Sequence, residues 1–168
     1  YKKISPILLK IKSPKETGKT FIANSKLKVK FFSKYVDYPV ISDDSGLCIK
    51  ALNNKPGIYS ARLAKKHGGF LKAMKFILKK MKKERDRKAY FICSLSYKSY
   101  KGKIISVEGK IKGNIAKKIV GKKGFGYDPI FIPIKKRITF GQMSKSKKIK
   151  MDHRFVAFKK LKKKIKTL

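Results

Sequence analysis

The chain has 168 residues, of which 47 are Lys or Arg and nine are Asp or Glu, a formal net charge of +38 at pH 7. That length fits one domain, or one domain of two lobes, with a proper core. A content of 42% hydrophobic and 11% aromatic residues excludes wholesale disorder, and no run reaches the roughly 18 to 20 apolar residues that cross a bilayer.

Residues 1–19 are Lys-rich, with the apolar segment Ile7-Leu8-Leu9 followed by a loop holding Pro14 and Gly18. Thr20 is placed to cap a helix running from Phe21 to Val36. Leu27, Phe31 and Tyr35 recur every fourth position and are expected to line its buried face. Tyr38 to Ile41 reads as a short strand, Asp43-Asp44-Ser45-Gly46 as the turn that ends it, and Leu47 to Ile49 as resumed extended chain. Asn53 to Gly57 is a turn. Phe70, Leu71, Met74, Ile77, Leu78 and Met81 have helical spacing. Ala89 to Tyr97 is the strongest strand, with Lys103 to Val107 as its hairpin partner. Gly109, Gly113, Gly121, Gly124 and Gly126 punctuate the next stretch. Tyr127 to Ile134 is a short apolar strand, and Asp152 opens a last helix with a Phe155, Phe158, Leu161 and Ile165 stripe. Alternating helices and strands predict an α/β fold with a mixed sheet.

The charge attracts anions in general. The basic residues are 42 Lys against 5 Arg and run along the whole chain rather than in one stripe. Readers of nucleic-acid sequence favour the bidentate guanidinium, so nucleic acid is expected to bind only non-specifically through charge. The two cysteines, Cys48 and Cys93, stand in no CxxC pair and read as reduced thiols of a cytoplasmic protein. The chain opens Tyr1-Lys2-Lys3 without Met or a secretory signal and is expected to be N-terminally incomplete.

Three groups of residues could carry chemistry. Asp43 and Asp44 offer adjacent carboxylates to a hard cation and a water, or an Asx-type turn. On a strand their side chains point opposite ways. Gly124-Phe125-Gly126-Tyr127-Asp128-Pro129 offers rings to stack on a planar base and an acceptor for base N–H groups, or a strand-opening turn with core aromatics. Lys148, His153 and Arg154 place cations at a helix start, suited to phosphate or a base carbonyl, or merely to a solvated cap. His67 is expected in an exposed loop without a role. No GxxxxGK[ST] loop is present, so a Walker ATPase is not supported.

Read in order, these segments resemble the inosine-triphosphatase family. The resemblance rests on Glu16-Thr17-Gly18-Lys19-Thr20-Phe21, Asp43-Asp44-Ser45-Gly46-Leu47, Pro56-Gly57-Ile58-Tyr59-Ser60-Ala61-Arg62, Gly124 to Phe131, and Lys148 with His153-Arg154. It implies a two-lobed α/β fold around a long mixed sheet flanked by helices, with a nucleotide cleft between the lobes, one domain over 1–168, and a homodimer. It implies hydrolysis of ITP, dITP and XTP to the monophosphate and pyrophosphate with Mg²⁺. By resemblance Asp44 is the catalytic carboxylate and metal ligand, and Ser45, Phe125, Gly126, Tyr127, Asp128, Lys148, His153 and Arg154 bind the substrate. A basic nucleic-acid-binding module and a catalytically impaired relative are the alternatives. Three departures stand out. The family's N-terminal Thr/Ser-Gly-Asn-x-x-Lys segment is not in this sequence. Lys15 stands where relatives often carry an acid, leaving Glu16. Asp152 replaces the Ser before His-Arg and is expected to bring a negative charge near the nucleotide.

Overall fold

The computed structural model describes residues 4–166; residues 1–3, including the Tyr1 opening, and 167–168 lie outside the described residues. Four strands, β1 (Val40–Ile49), β2 (Lys88–Lys98), β3 (Ile104–Ile115) and β4 (Phe131–Pro133), form one sheet in the order β1-β2-β3-β4. The α/β class holds, but the expected mixed sheet is corrected: among the described residues all three ladders are antiparallel, because each strand pairs with the next in chain order, running back alongside it. Helix α1 (Phe21–Phe32) packs on β1 and β2, and α5 (His153–Ile165) packs on β2 and β3. Helices α2 (Ser60–Lys66) and α3 (Phe70–Lys80) follow β1 in the chain and pack on each other, and α4 (Lys145–Ile149) precedes α5. Among the described residues no helix is long and apolar enough to cross a membrane.

The core is divided. One apolar cluster joins Leu47, Ile49, Met74, Ile77, Phe91, Phe131 and Phe140 around α3 and the later loops. A second joins Cys93, Leu95, Val107, Ala157 and Leu161 under α5.

Several local expectations are corrected by tertiary pairing. Asp43 to Gly46 is not a turn but the middle of β1, because Asp43, Asp44 and Ser45 pair with Leu95, Ser94 and Cys93 of β2. Ladder pairing outweighs the turn preference of Asp, Ser and Gly. Strand β3 likewise runs through Gly109 and Gly113, well past Val107. A Cβ at Gly109 would collide with the His153 carbonyl and Ala157 backbone, so the glycine lets α5 lie directly on the sheet. That close approach also explains the α5 stripe: His153, Ala157 and Leu161 are buried, while Phe158 is exposed.

Thr20 caps α1, its hydroxyl accepting from Ala23 N at 3.0 Å. The helix ends at Phe32, and its buried face is Phe21, Asn24, Ser25 and Val29 rather than Leu27, Phe31 and Tyr35. Polar groups can face the sheet because they are paired there. Ser25 Oγ lies 3.0 Å from Ser94 Oγ and 2.8 Å from Ser96 Oγ. Buried hydroxyls with partners cost little, unlike unpaired ones.

Candidate functional site

Strand alternation separates the two adjacent carboxylates. Asp44 turns toward α1, where Asn24 Nδ2 donates to its Oδ2 at 3.0 Å and Lys28 Nζ stands 3.8 Å from its Oδ1. The Asn24 amide is held by its other end, because its Oδ1 accepts from Gly18 N at 2.7 Å. Lys28 also donates to Glu16 at 2.7 Å, and Arg62 reaches Glu16 at 3.9 Å. Burial raises the Asp44 pKa; the Asn24 bond and the Lys28 charge oppose that rise, and the Glu16 and Asp43 carboxylates add to it. Asp43 and Ser45, on the other side of β1, meet Arg154.

Three motifs far apart in sequence interlock beside this strand. A Cβ at Gly46 would strike the Gly57 carbonyl and Ser60 Oγ, so β1 lies directly against the Pro56–Ser60 segment. Ser60 Oγ donates to Gly57 O at 2.7 Å and accepts from Leu47 N at 2.9 Å. Tyr127 is buried, and its hydroxyl donates to Ser60 O at 2.9 Å. Burial lifts its phenol pKa to about 12, so it remains a donor at neutral pH.

The aromatic turn is built on Asp128. Its Oδ2 accepts from Phe125 N at 2.7 Å and from Lys148 Nζ at 2.6 Å, and both charged side chains are buried. Burial raises the Asp128 pKa, with the Lys148 and Phe125 N–H bonds opposing. Gly124 has φ +76, and a Cβ there would run into the Asp128 carboxylate. Phe125 remains 56% exposed. Lys148 Nζ stands 4.4 Å and Arg154 Cζ 4.8 Å from its ring centre.

Helix α5 begins at His153. Asp152 caps it by accepting from Phe155 N at 2.9 Å, so the carboxylate in place of Ser is turned to the helix end. His153 is buried and stacks on Phe91, with ring centres 4.9 Å apart and 14° between planes. Burial, reinforced by Arg154 and Lys148, lowers its pKa to about 3, leaving it neutral. Its Nε2 lies 3.3 Å from Arg154 Nη1, which can only donate, so the proton belongs on Nδ1. That Nδ1 has no hydrogen-bond partner among the described residues.

These groups share one cleft of about 240 Å³. Its wall includes Asp44, Ser45, Phe125, Gly126, Tyr127, Asp128, His153 and Arg154. Lys148 stands behind the wall, held by Asp128. The reading from sequence missed Asn24, Lys28, Phe70 and Phe91. Phe70 meets Tyr127 edge-on at 5.2 Å and faces the cleft. The spacing of Asn24 and Lys28, four apart on one helix face, was the available signal; the more hydrophobic stripe obscured it.

A hard divalent cation takes oxygen ligands and commonly one or two carboxylates, with phosphate and water completing its shell. Asp44 and Glu16 both face the cleft, and an ammonium already lies between them. Among the described residues no group of three or more His, Cys, Asp or Glu could hold a metal. Two carboxylates with an ammonium between them suit a cation shared with a phosphorylated substrate.

The Ham1 family pattern matches residues 2–164. A dITP/XTP pyrophosphatase of Dictyoglomus thermophilum is 46% identical over 153 residues, 89% of this chain and 74% of the relative. One of Borreliella burgdorferi is 48% identical over 158 residues, 89% of this chain and 78% of the relative. The Staphylococcus aureus Ham1 protein structure superposes with TM-score 0.89 at 36% identity, covering 96% of this chain and 84% of that one. A HAM1 protein from Coxiella burnetii gives TM-score 0.87 at 31% identity, covering 95% and 83%. With the cleft and its motifs in place, this breadth of match is decisive: the chain belongs to the Ham1 family.

Proposed function

We propose that the chain hydrolyses non-standard purine nucleoside triphosphates, ITP, dITP and XTP, to the monophosphate and pyrophosphate. The observation that carries this is the meeting of Asp44, the Phe125–Asp128 turn and His153–Arg154 in one cleft. One end offers a carboxylate and cations to phosphate; the other offers rings and donors to a base. Relatives named dITP/XTP pyrophosphatase support dITP and XTP among these substrates. In this reading residues 1–168 act as one pyrophosphatase domain, in the cytoplasm and as a homodimer.

Asp44 is the proton acceptor. A carboxyl whose pKa is raised by burial takes a proton more readily than an ordinary surface Asp. It orients a water toward the α-phosphorus and accepts the water proton as the new P–O bond forms. The bond from the α-phosphorus to the bridging oxygen breaks, and pyrophosphate leaves with that oxygen. Lys28, 2.7 Å from Glu16, is placed to shift onto phosphate oxygens as charge builds there. Asn24 holds Asp44 in place. Asp44 and Glu16 would hold Mg²⁺, which when bound neutralises phosphate charge and polarises the phosphoryl group.

Phe125 gives the base a stacking face, Gly126 and Tyr127 shape the turn, and Ser45 and Arg154 face the nucleotide. Asp128 and Lys148 carry the turn's charge. Arg154 is the cationic donor at this end, with its Nη1 braced by Nε2 of a neutral His153. Hypoxanthine and xanthine present an acceptor at position 6, where adenine presents a donor. A donor-lined site therefore leaves the adenine amine badly paired. The test is pyrophosphate release with Mg²⁺ from dITP and dATP in parallel. Hydrolysis of dITP at least about 100-fold faster in kcat/KM is expected; equal rates would falsify the assignment.

A further inference from the structure

Asp43 is not among the substrate residues, yet it is placed with care. Its Oδ2 stands 3.2 Å from Arg154 Nη2 and also accepts from Ser45 Oγ at 3.2 Å. Arg154 Nη2 donates to Ser45 Oγ at 2.8 Å, closing a ring of three polar groups. The guanidinium is further fixed by His153 Nε2 and by the face of Phe125. The Asp43 and Arg154 side chains are 44% and 38% exposed. Solvent-exposed pairs of this kind add little to folding stability. A carboxylate that holds a cleft arginine while adding little stability acts on the arginine's geometry.

The opposite face of β1 belongs to Asp44, so Asp43 is turned away from the Glu16–Lys28 group where a cation fits. Arg is long and loses much rotamer freedom when it must hold one pose. Fixing it beforehand lowers the cost of binding. We propose that Asp43 is a positioning residue that, with Ser45, holds Arg154 across the Phe125 ring so that its remaining donors meet the base, and so sets purine selectivity. This rests on the proposed pyrophosphatase reading for the identity of the base.

The test compares wild type, Asp43→Ala, Asp43→Asn, Arg154→Ala and the Asp43→Ala/Arg154→Ala double variant. Asp43→Ala is expected to raise KM for dITP about three- to tenfold, the loss from freeing one ordered side chain. It should change kcat less than about twofold and lower the dITP to dATP ratio of kcat/KM by a similar factor to the KM change. Asp43→Asn keeps an acceptor and should lie between. In the double variant Asp43→Ala should add nothing to the Arg154→Ala defect. The Mg²⁺ concentration for half activity should not move. Additive defects, a lowered or unchanged KM, or a shifted Mg²⁺ requirement overturns the proposal. Equilibrium binding of dIMP gives a readout independent of turnover. If wild type hydrolyses no dITP, the pyrophosphatase reading fails by itself. Equal dIMP affinity in wild type and Asp43→Ala overturns the Asp43 role in either case.

Discussion

Replacing Lys148 by Met tests how the aromatic turn is held. The Lys148–Asp128 ion pair spans 2.6 Å, with side-chain exposures of 8% and 1%. Met matches the Lys stem closely enough to avoid a large cavity. The loss is therefore that of the charge partner, and breaking one side of a buried pair costs about 3 to 5 kcal/mol. Asp128 would keep its bond from Phe125 N, but that single donor does not replace an ammonium. The carboxyl relieves the cost by taking up a proton, which raises a pKa already raised in the parent. The sign comes from linkage: a raised folded-state pKa stabilises below the unfolded pKa and loses that contribution as pH rises through the folded pKa. The deficit of Lys148→Met against the parent should thus be small near pH 4 and largest at pH 7 to 8. The double variant Lys148→Met/Asp128→Asn removes the stranded charge and should recover most of the loss at pH 7. Urea unfolding followed by circular dichroism measures all three proteins. An equal deficit at pH 4 and pH 8, or a double variant no more stable than the single one, would refute this account of the turn.

Asp44→Asn should cut dITP turnover by about 10² to 10⁴ while leaving the melting temperature unchanged or higher, since burial opposes the charged form; unchanged turnover would remove Asp44 from the proton step. His153 has a lowered folded pKa, so its contribution to stability is present above the unfolded value near 6.5 and is lost as pH falls toward about 3. Stability should fall by up to about 1.4 kcal/mol per pH unit on this account, and a His153→Gln variant should show a flatter acid limb in urea melts. Nitrogen chemical shifts of the imidazole should show the neutral ring at pH 5; a protonated ring there contradicts the burial argument. With a net charge of +38, the melting temperature should rise from about 20 mM to 500 mM salt and rise further with phosphate; a fall would mean that specific ion pairs outweigh self-repulsion.

Much of the site is legible in the chain because its signals are local. Thr20 capping α1 and the strand around Phe91 come from residue type and spacing. The Asp-Asp-Ser-Gly and Gly-Phe-Gly-Tyr-Asp motifs stand out because acids and paired glycines are rare in a Lys-rich sequence. Misreadings arise where a neighbour decides. Asp43 to Gly46 carries turn residues, and only the ladder to β2 makes it a strand. The α1 face is misread because the hydrophobic stripe is a measure of apolar spacing, whereas Asn24 and Ser25 are buried by hydrogen bonds to β1 and β2. Spacing puts Phe158 on the core side of α5, but Gly109 draws the Ala157 side onto the sheet.

The amino-acid order by itself determined the α/β class, the motifs and the kinds of group available for phosphate and base, since each is a property of residue type and short spacing. Tertiary structure decided which groups meet. It set Asp43 toward Arg154 and Asp44 toward Asn24 and Lys28, and it tied Tyr127 to Ser60 across 67 positions of chain. Such contacts depend on strand register and helix rotation, which are fixed by what packs against them and leave no periodic trace in the sequence.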